Sequence, residues 1–146
     1  MVTPKYLRLP FRPDMLIQRQ EHPLCSLTES IAQHLHLLVT TYYGECKFDE
    51  DFGSPIWEAD FENITSINVW RNKTGKELED VIKKYEIRLT DPKVNINLFQ
   101  EEFMDEAVSS KVMKRKVELR VTARVESTSE LFEFDTLFYF SPISFD

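Results

Sequence analysis

The stretch KVELRVTARV, residues 116–125, alternates polar and apolar side chains without a break. A period of two places every second side chain on the same face of an extended strand. The apolar face consists of Val117, Leu119, Val121, Ala123 and Val125. This segment therefore predicts a half-buried β-strand against which the rest of the chain packs.

A further strand is predicted on each side of this segment. Upstream, residues 94–98 alternate three aliphatic side chains with two asparagines. Downstream, residues 127–130 form a short turn into a strand over residues 131–140. Residues 100–112 are polar and are predicted to form a loop or a broken helix. Together these signals predict an antiparallel three-stranded β-meander.

The third strand is apolar on both faces where it ends. One face carries Phe132, Phe134, Phe138 and Phe140, and the other begins with acidic residues and finishes with Leu137 and Tyr139. An apolar strand at the edge of a small sheet favours pairing with a strand of another chain. Leu137 and Tyr139 are therefore predicted to bind a partner. In the alternative interpretation, the protein's own helices and N-terminal arm cover the sheet.

Two helices and a short helical turn are predicted before the sheet. Ser26 and Glu29 have capping-box spacing and open an amphipathic helix that ends at Gly44. Its apolar stripe is formed by Ile31, Leu35, Leu38 and Tyr42. A second helix is predicted from a capping box at Thr74 and Glu77 to a C-terminus near Glu86.

The short helical turn lies between the two helices. Ser54 and Pro55 resemble an N-cap followed by a proline in the first helical position, and the turn is predicted to continue through Trp57 and Phe61. The expected fold is thus α+β, with N-terminal helices packed on a C-terminal three-stranded antiparallel β-meander. It is preceded by an extended, proline-punctuated arm over residues 1–24, and residues 25–146 form a single domain.

Composition excludes several classes of function. The chain has 146 residues and a formal charge of −7, which disfavours a nucleic-acid or anionic-membrane binder. It has no apolar run near the roughly 20 residues of a membrane span and no hydrophobic block at its N-terminus, so a cytoplasmic protein is expected. Cys25 and Cys46 fit neither a disulfide framework nor a CxxC pair.

Catalytic patterns are also missing from the sequence. His34 and His36 are two residues apart on a helix, whereas helical metal ligands are spaced by three or four. The acidic residues Glu45, Asp49, Glu50, Asp51 and Glu58 are the candidates for a glycosidase pair. Because they cluster in a polar loop with no apolar pocket, solvation is the favoured interpretation. We therefore predict no enzymatic activity, no metal and no cofactor.

The segment Glu86-Ile87-Arg88-Leu89 is unusual for a helix end. A glutamate is unfavourable at a helix C-terminus because of the macrodipole, so Arg88 or a partner's cation must hold it. Glu86 and Arg88 are therefore predicted to bind a partner from an exposed position. On that reading, substituting them changes assembly and hardly changes stability.

Three short motifs occur in a fixed order before the meander: Tyr43-Gly44-Glu45, Asp51-Phe52-Gly53-Ser54 and Glu86-Ile87-Arg88-Leu89. In this order they resemble the phage baseplate-wedge family and its type VI secretion relative TssE. The resemblance spans residues 25–140. The family has a proline where this chain has Ile87.

The resemblance implies a structural wedge subunit of a contractile injection machine. Such a subunit links wedge proteins (TssF-, TssG- and TssK-like) and nucleates the sheath, whose subunits dock by strand addition. A type VI secretion system, a tailocin and a phage tail all fit. Two alternatives stay open: an acidic lysozyme-like muramidase, which a peptidoglycan-release assay detects, and a generic protein-interaction module, which predicts a different strand order.

Overall fold

The alternating segments form a three-stranded antiparallel sheet in the order β3-β4-β5, as predicted. The computed structural model describes residues 5–58, 66–107 and 109–140. The strands are β3 (Leu89–Asp105), β4 (Ser110–Val125) and β5 (Leu131–Phe140), with two short N-terminal strands, β1 (Tyr6–Leu7) and β2 (Leu24–Cys25). The helices are α1 (Pro13–Ile17), α2 (Leu27–Thr40) and α3 (Ile67–Tyr85), with a 3-10 turn at Pro55–Glu58. The fold is α+β.

The predicted central strand is β4, and the five apolar residues predicted to face the core between positions 117 and 125 are all buried. Val121 pairs with Val94 on one side and with Phe134 on the other, so the inner faces of the three strands are in register. This face packs on α2 and α3 through a single core. The alternative that the protein's own helices cover one face of the sheet is correct for this inner face.

The prediction of a loop or broken helix over residues 100–112 is wrong. These residues extend the β3-β4 hairpin, in which Glu101 pairs with Lys114 and Met104 with Lys111. Acidic residues on β3 face basic residues on β4, and Lys116 Nζ lies 2.9 Å from Glu101 Oε1. Cross-strand pairs of opposite charge stabilise a polar ladder, which apolar periodicity alone does not detect.

Helix α2 begins as predicted and ends earlier. The Glu29 amide donates to Ser26 Oγ at 3.3 Å. The helix stops at Thr40 rather than at Gly44, since the backbone of Thr41 is extended, and the Thr40 and Thr41 hydroxyls donate to the His36 and Leu37 carbonyls at 2.6 Å each. Tyr42 consequently lies beyond the helix and is exposed.

Helix α3 ends as predicted and begins earlier. Its N-cap is Ser66, whose Oγ accepts from the Val69 amide at 3.3 Å. The proposed capping box is wrong, since Thr74 lies buried in the middle of the helix. The 3-10 turn is confirmed over Pro55–Glu58, while Phe61 lies outside the described residues.

Helix α3 also runs along the outer edge of β3. Arg71 Nη1 donates to Asn97 Oδ1 at 3.2 Å, and Glu79 Oε1 accepts the Val94 backbone N–H at 3.0 Å. Gly75 lies between these two contacts, against the Val94 carbonyl. One edge of the sheet is thus covered over this stretch by a helix, and β5 forms the other edge.

The N-terminal arm folds back onto α2 rather than extending away. Strand β1 pairs with β2, and the Leu9 N–H donates to Gln33 Oε1 on α2 at 2.8 Å. The Arg12 N–H donates to Nε2 of the buried His22 at 2.8 Å. These contacts hold the arm in place despite its prolines.

Candidate functional site

A buried ion cluster lies where α3 ends. Glu86 is the C-terminal residue that follows α3, and it is only 1% exposed. Arg88 Nε donates to Glu86 Oε1 and Arg88 Nη2 to Oε2, both at 2.8 Å. His34 Nδ1 lies 2.7 Å from Oε2, and because a carboxylate only accepts, the ring nitrogen donates. Both carboxylate oxygens are therefore fully engaged.

The other side of Arg88 joins the cluster to α2 and to the arm. Arg88 Nη1 donates to Ser30 Oγ at 2.9 Å, and the guanidinium lies over the Tyr6 ring at 5.3 Å. Arg88 immediately precedes β3, so one side chain connects helix, arm and sheet. The arrangement is a structural junction with bidentate geometry, which is the strong form of this ion pair.

The Glu86–Arg88 pair stays ionised at neutral pH. Burial alone raises the pKa of Glu86, but hydrogen bonds from Arg88 and His34 outweigh it and lower the pKa to about 2. Hydrogen bonding to Glu86 raises the pKa of Arg88. A buried carboxylate with a lowered pKa is a fixed charge and not a proton donor.

The Asp51-Phe52-Gly53-Ser54 motif packs beside this cluster. The Phe52 ring meets Tyr85 edge-on at 5.1 Å and lies 6.1 Å from His34. Gly53 has φ +155°, and a Cβ there would lie 2.9 Å from the Thr41 carbonyl oxygen. The fold thus brings two of the three sequence motifs together around one glutamate.

The sequence identified the ion pair but misjudged its surroundings. Arg88 holds Glu86, as one of the two expected alternatives had it, but the expected exposed position is wrong for Glu86, which is 1% exposed. The expectation that substitution hardly changes stability rested on that exposed position and is replaced by an expected loss of stability. The sequence interpretation missed Ser30, His34 and Tyr6. Ser30 and His34 are four residues apart and so share a helix face, and this spacing is the signal that could have identified them.

We expect the stability difference between the wild type and Glu86→Gln to depend on pH. The folded pKa lies below the unfolded value, so the carboxylate stabilises the fold above about pH 5 and loses this contribution as the pH falls toward 2. Urea unfolding is expected to give a difference of about 2–3 kcal/mol in the free energy of unfolding at pH 7. This difference should decrease steadily as the pH is lowered from 5 to 3. A difference that stays constant over this range contradicts the ionised cluster.

Leu137 and Tyr139 lie elsewhere, on the outer face of the sheet. They are 49% and 48% exposed, and Tyr139 shares a cross-strand row with Lys116 and the exposed Phe99. Arg88 precedes the opposite end of β3. Nine positions along β4 separate the two places, about 30 Å at the rise of a strand. The four residues predicted to bind partners therefore form two sites and not one.

Strand β5 is the terminal strand of the sheet. Over residues 131–138 its backbone hydrogen bonds go to β4 alone within the described ranges. On its outer face Arg120 of β4 pairs with Asp135 at 2.7 Å, as expected for cross-strand charges. The apolar pair Leu137 and Tyr139 follows this polar contact.

The part of the chain that the structure describes contains no metal-ligand cluster and no disulfide. No three His, Cys, Asp or Glu side chains there are placed to hold a metal ion. Cys25 and Cys46 are both free thiols. None of the described helices combines the length and the apolar character of a membrane span.

Comparison with known proteins identifies the family. Residues 25–130 match the sequence model of the family described as baseplate wedge protein gp25. A solved structure from Geobacter sulfurreducens, provisionally named a tail lysozyme, has a similar fold. It superposes with a TM-score of 0.58 at 22% identity, covering 85% of this chain and all of the other. No curated protein shows a significant match.

Proposed function

Because this chain belongs to the baseplate wedge protein gp25 family, we propose that it is a wedge subunit of a contractile injection machine. The family supports a structural role in a phage-tail type of baseplate. Beyond that, we propose a type VI secretion system or phage-like tail as the machine, with the subunit acting in the cytoplasm. There it links wedge proteins of the TssF, TssG and TssK type and starts sheath polymerisation.

The observation that carries this proposal is the difference between the two edges of the sheet. Over residues 94–97 the edge of β3 is covered by Arg71 and Glu79 of α3, whereas β5 is the terminal strand on the other side. An added sheath strand pairs with such an edge through backbone hydrogen bonds, and side-chain pockets give it specificity. Leu137 and Tyr139 place apolar surface beside that edge, where the arriving strand covers it.

Glu86 and Arg88 support partner binding from a second position. The Arg88 side chain keeps 27% of its surface exposed, while Glu86 beneath it is buried. The guanidinium is pre-oriented, so a partner that reaches it does not have to immobilise a flexible side chain. We propose that a wedge protein contacts this junction beside the arm.

The muramidase alternative is not supported by the arrangement of carboxylates. A glycosidase acid needs a raised pKa in an apolar pocket, and Glu86, the buried acid, has a lowered one. The loop residues Glu45, Glu50 and Asp51 are exposed. We therefore propose a non-catalytic subunit, and the name of the Geobacter sulfurreducens protein does not carry over.

Leu137→Lys and Tyr139→Lys are expected to abolish sheath formation while the monomer stays folded. Both side chains are half exposed, so lysine costs little stability, but a charge on the docking face opposes an incoming apolar strand. The measurement is fluorescence imaging of tagged sheath in cells, beside circular dichroism of the purified variants. Leu131→Lys is the matched control, since Leu131 is an exposed leucine on the same face at the other end of β5.

Two outcomes contradict the proposal. If both variants fold and still form sheath at the wild-type frequency, the docking surface is not on this face. If Leu131→Lys blocks the sheath as strongly as the other two, position on β5 does not matter.

A further inference from the structure

Phe48 is a phenylalanine with its whole side chain in solvent, 100% exposed. Burying such a ring contributes roughly 1.5–3 kcal/mol, so a fully exposed one gives up the strongest stabilisation that the residue offers. Phe48 lies in the segment 42–53 between α2 and the 3-10 turn, which we term the Phe48 loop. The proposed sheath-docking face does not include it.

The Phe48 loop is an ordered structure and not a flexible linker. Asp49 N–H donates to the Cys46 carbonyl at 3.3 Å, which makes Phe48 the third residue of a tight turn. A second backbone bond, at 2.9 Å, joins Gly44 N–H to the Glu50 carbonyl and closes the loop at its base. The turn thus presents the Phe48 ring outward.

The Phe48 loop is also anchored to both helices. Tyr85 of α3 donates from its hydroxyl to Asp49 Oδ2 at 2.8 Å, and the Ser54 N–H donates to the Thr41 carbonyl at 2.8 Å. Phe52 packs between the rings of His34 and Tyr85. An aromatic side chain held on a rigid turn loses little entropy on binding, which is characteristic of binding hot spots.

The charge around Phe48 indicates the chemistry of its partner. The loop contains four acidic residues and one lysine, a net charge of −3. Glu77 and Asp80 of α3, with Glu58, line the concave surface next to it. Burial and the nearby Glu77 and Glu58 raise the pKa of the Tyr43 phenol, which is consistent with a negative potential there.

This charge excludes several occupants. A symmetric contact with a second copy places two acidic loops against each other, which is unfavourable. Nucleic acid and anionic membranes are repelled for the same reason. A basic protein surface with an apolar pocket at its centre complements the loop.

We propose that the Phe48 loop is a second docking surface, on which Phe48 enters an apolar pocket rimmed by lysine or arginine on a partner protein. This surface is separate from β5. The loop's hydrogen bonds and ring contacts, among the described residues, are made with α2, α3 and the loop itself. If the Phe48 loop proves not to bind a partner, the proposal of a sheath contact at β5 is therefore unaffected. If β5 proves not to bind the sheath, the proposal for the Phe48 loop is likewise unaffected.

Photo-crosslinking tests the proposal in cells of the native host. The probe is p-benzoylphenylalanine at position 48 of the full chain, and the control is the same probe at Ile17, an exposed apolar residue of α1. Position 48 is expected to crosslink one protein at a peptide that contains apolar residues next to lysine or arginine, and position 17 is not. A crosslink to another copy of this chain, to a peptide without basic residues, or to nothing overturns the proposal.

The partner protein identified by the crosslink is then purified on its own and serves as the binding probe. Phe48→Ala is expected to weaken the affinity of this chain for the partner at least thirtyfold. The Tm should not change, because the ring contacts only solvent in the free protein. Glu50→Lys is expected to slow association several-fold at low salt, with the effect fading at high salt. Unchanged affinity of Phe48→Ala, or a salt-independent effect of Glu50→Lys, contradicts the proposal, and sheath imaging of the same variants tests the β5 edge independently.

Discussion

Arg88→Ala is expected to lower the free energy of unfolding by about 3–5 kcal/mol, because it leaves the Glu86 carboxylate buried without its bidentate partner. For a chain of this size the melting temperature should fall by roughly 10–16 °C. The same substitution removes the contacts of the guanidinium with Ser30 and Tyr6, so the arm should also loosen. Differential scanning calorimetry measures the first effect and amide hydrogen exchange over residues 5–12 the second.

Arg120→Ala is the matched control for this prediction. Arg120 pairs with Asp135 at 2.7 Å, a distance similar to those in the buried cluster, but both side chains are more than half exposed. Exposed pairs contribute about 0–1 kcal/mol, so this variant should melt within a few degrees of the wild type. If Arg88→Ala melts as high as Arg120→Ala, the cluster does not stabilise the fold and any defect in assembly comes from a lost partner contact.

Gly53→Ala is expected to destabilise the protein by about 2–4 kcal/mol. The residue has φ +155°, and an added Cβ would lie 2.9 Å from the carbonyl oxygen of Thr41 and the carbonyl carbon of Tyr42. Both are backbone atoms, so the loop itself has to move. Because the loop carries Phe52 into contact with Tyr85 beside the ion cluster, that movement disturbs the core. Urea unfolding gives the measurement.

Gly75→Ala is expected to have the opposite sign. Gly75 lies inside α3, and a Cβ there meets the Val94 carbonyl at 3.6 Å, an ordinary contact. Alanine is the better helix former by about 1 kcal/mol, so the variant should gain about 0.5–1 kcal/mol. Equal losses at the two glycines contradict the assignment of Gly53 to a conformation that only glycine adopts without strain.

Period-two patterning alone predicted the meander correctly. Val117, Leu119 and Val121 are spaced by two and share a buried face only in a strand, and Phe132 with Phe134 repeats this spacing in β5. The N-cap of α2 and the C-terminus of α3 were likewise predicted, because capping is a local interaction between residues three or four apart. The family resemblance followed from the order of three motifs, which is also a property of the sequence.

Two of the errors involve partners that are distant in sequence. Residues 100–105 and 110–112 form a ladder because acidic β3 meets basic β4. Helix α3 is capped locally by Ser66, but the part of it that precedes Thr74 lies along the edge of β3, where Arg71 contacts Asn97. Neither contact leaves a trace in apolar periodicity, because the side chains involved are polar.

The sequence by itself determined the class of fold and the order of its elements, since both depend on patterns within a few positions, and it narrowed the group that holds Glu86 to Arg88 or a partner's cation. Only the tertiary structure decided that Glu86 is buried, because His34 and Ser30 arrive from a helix more than fifty residues earlier. It also decided which sheet edge is covered and that Phe48 is fully exposed, because burial is a property of the assembled surface. A residue's type sets the free energy of burying it, but its packing partners decide whether it is buried.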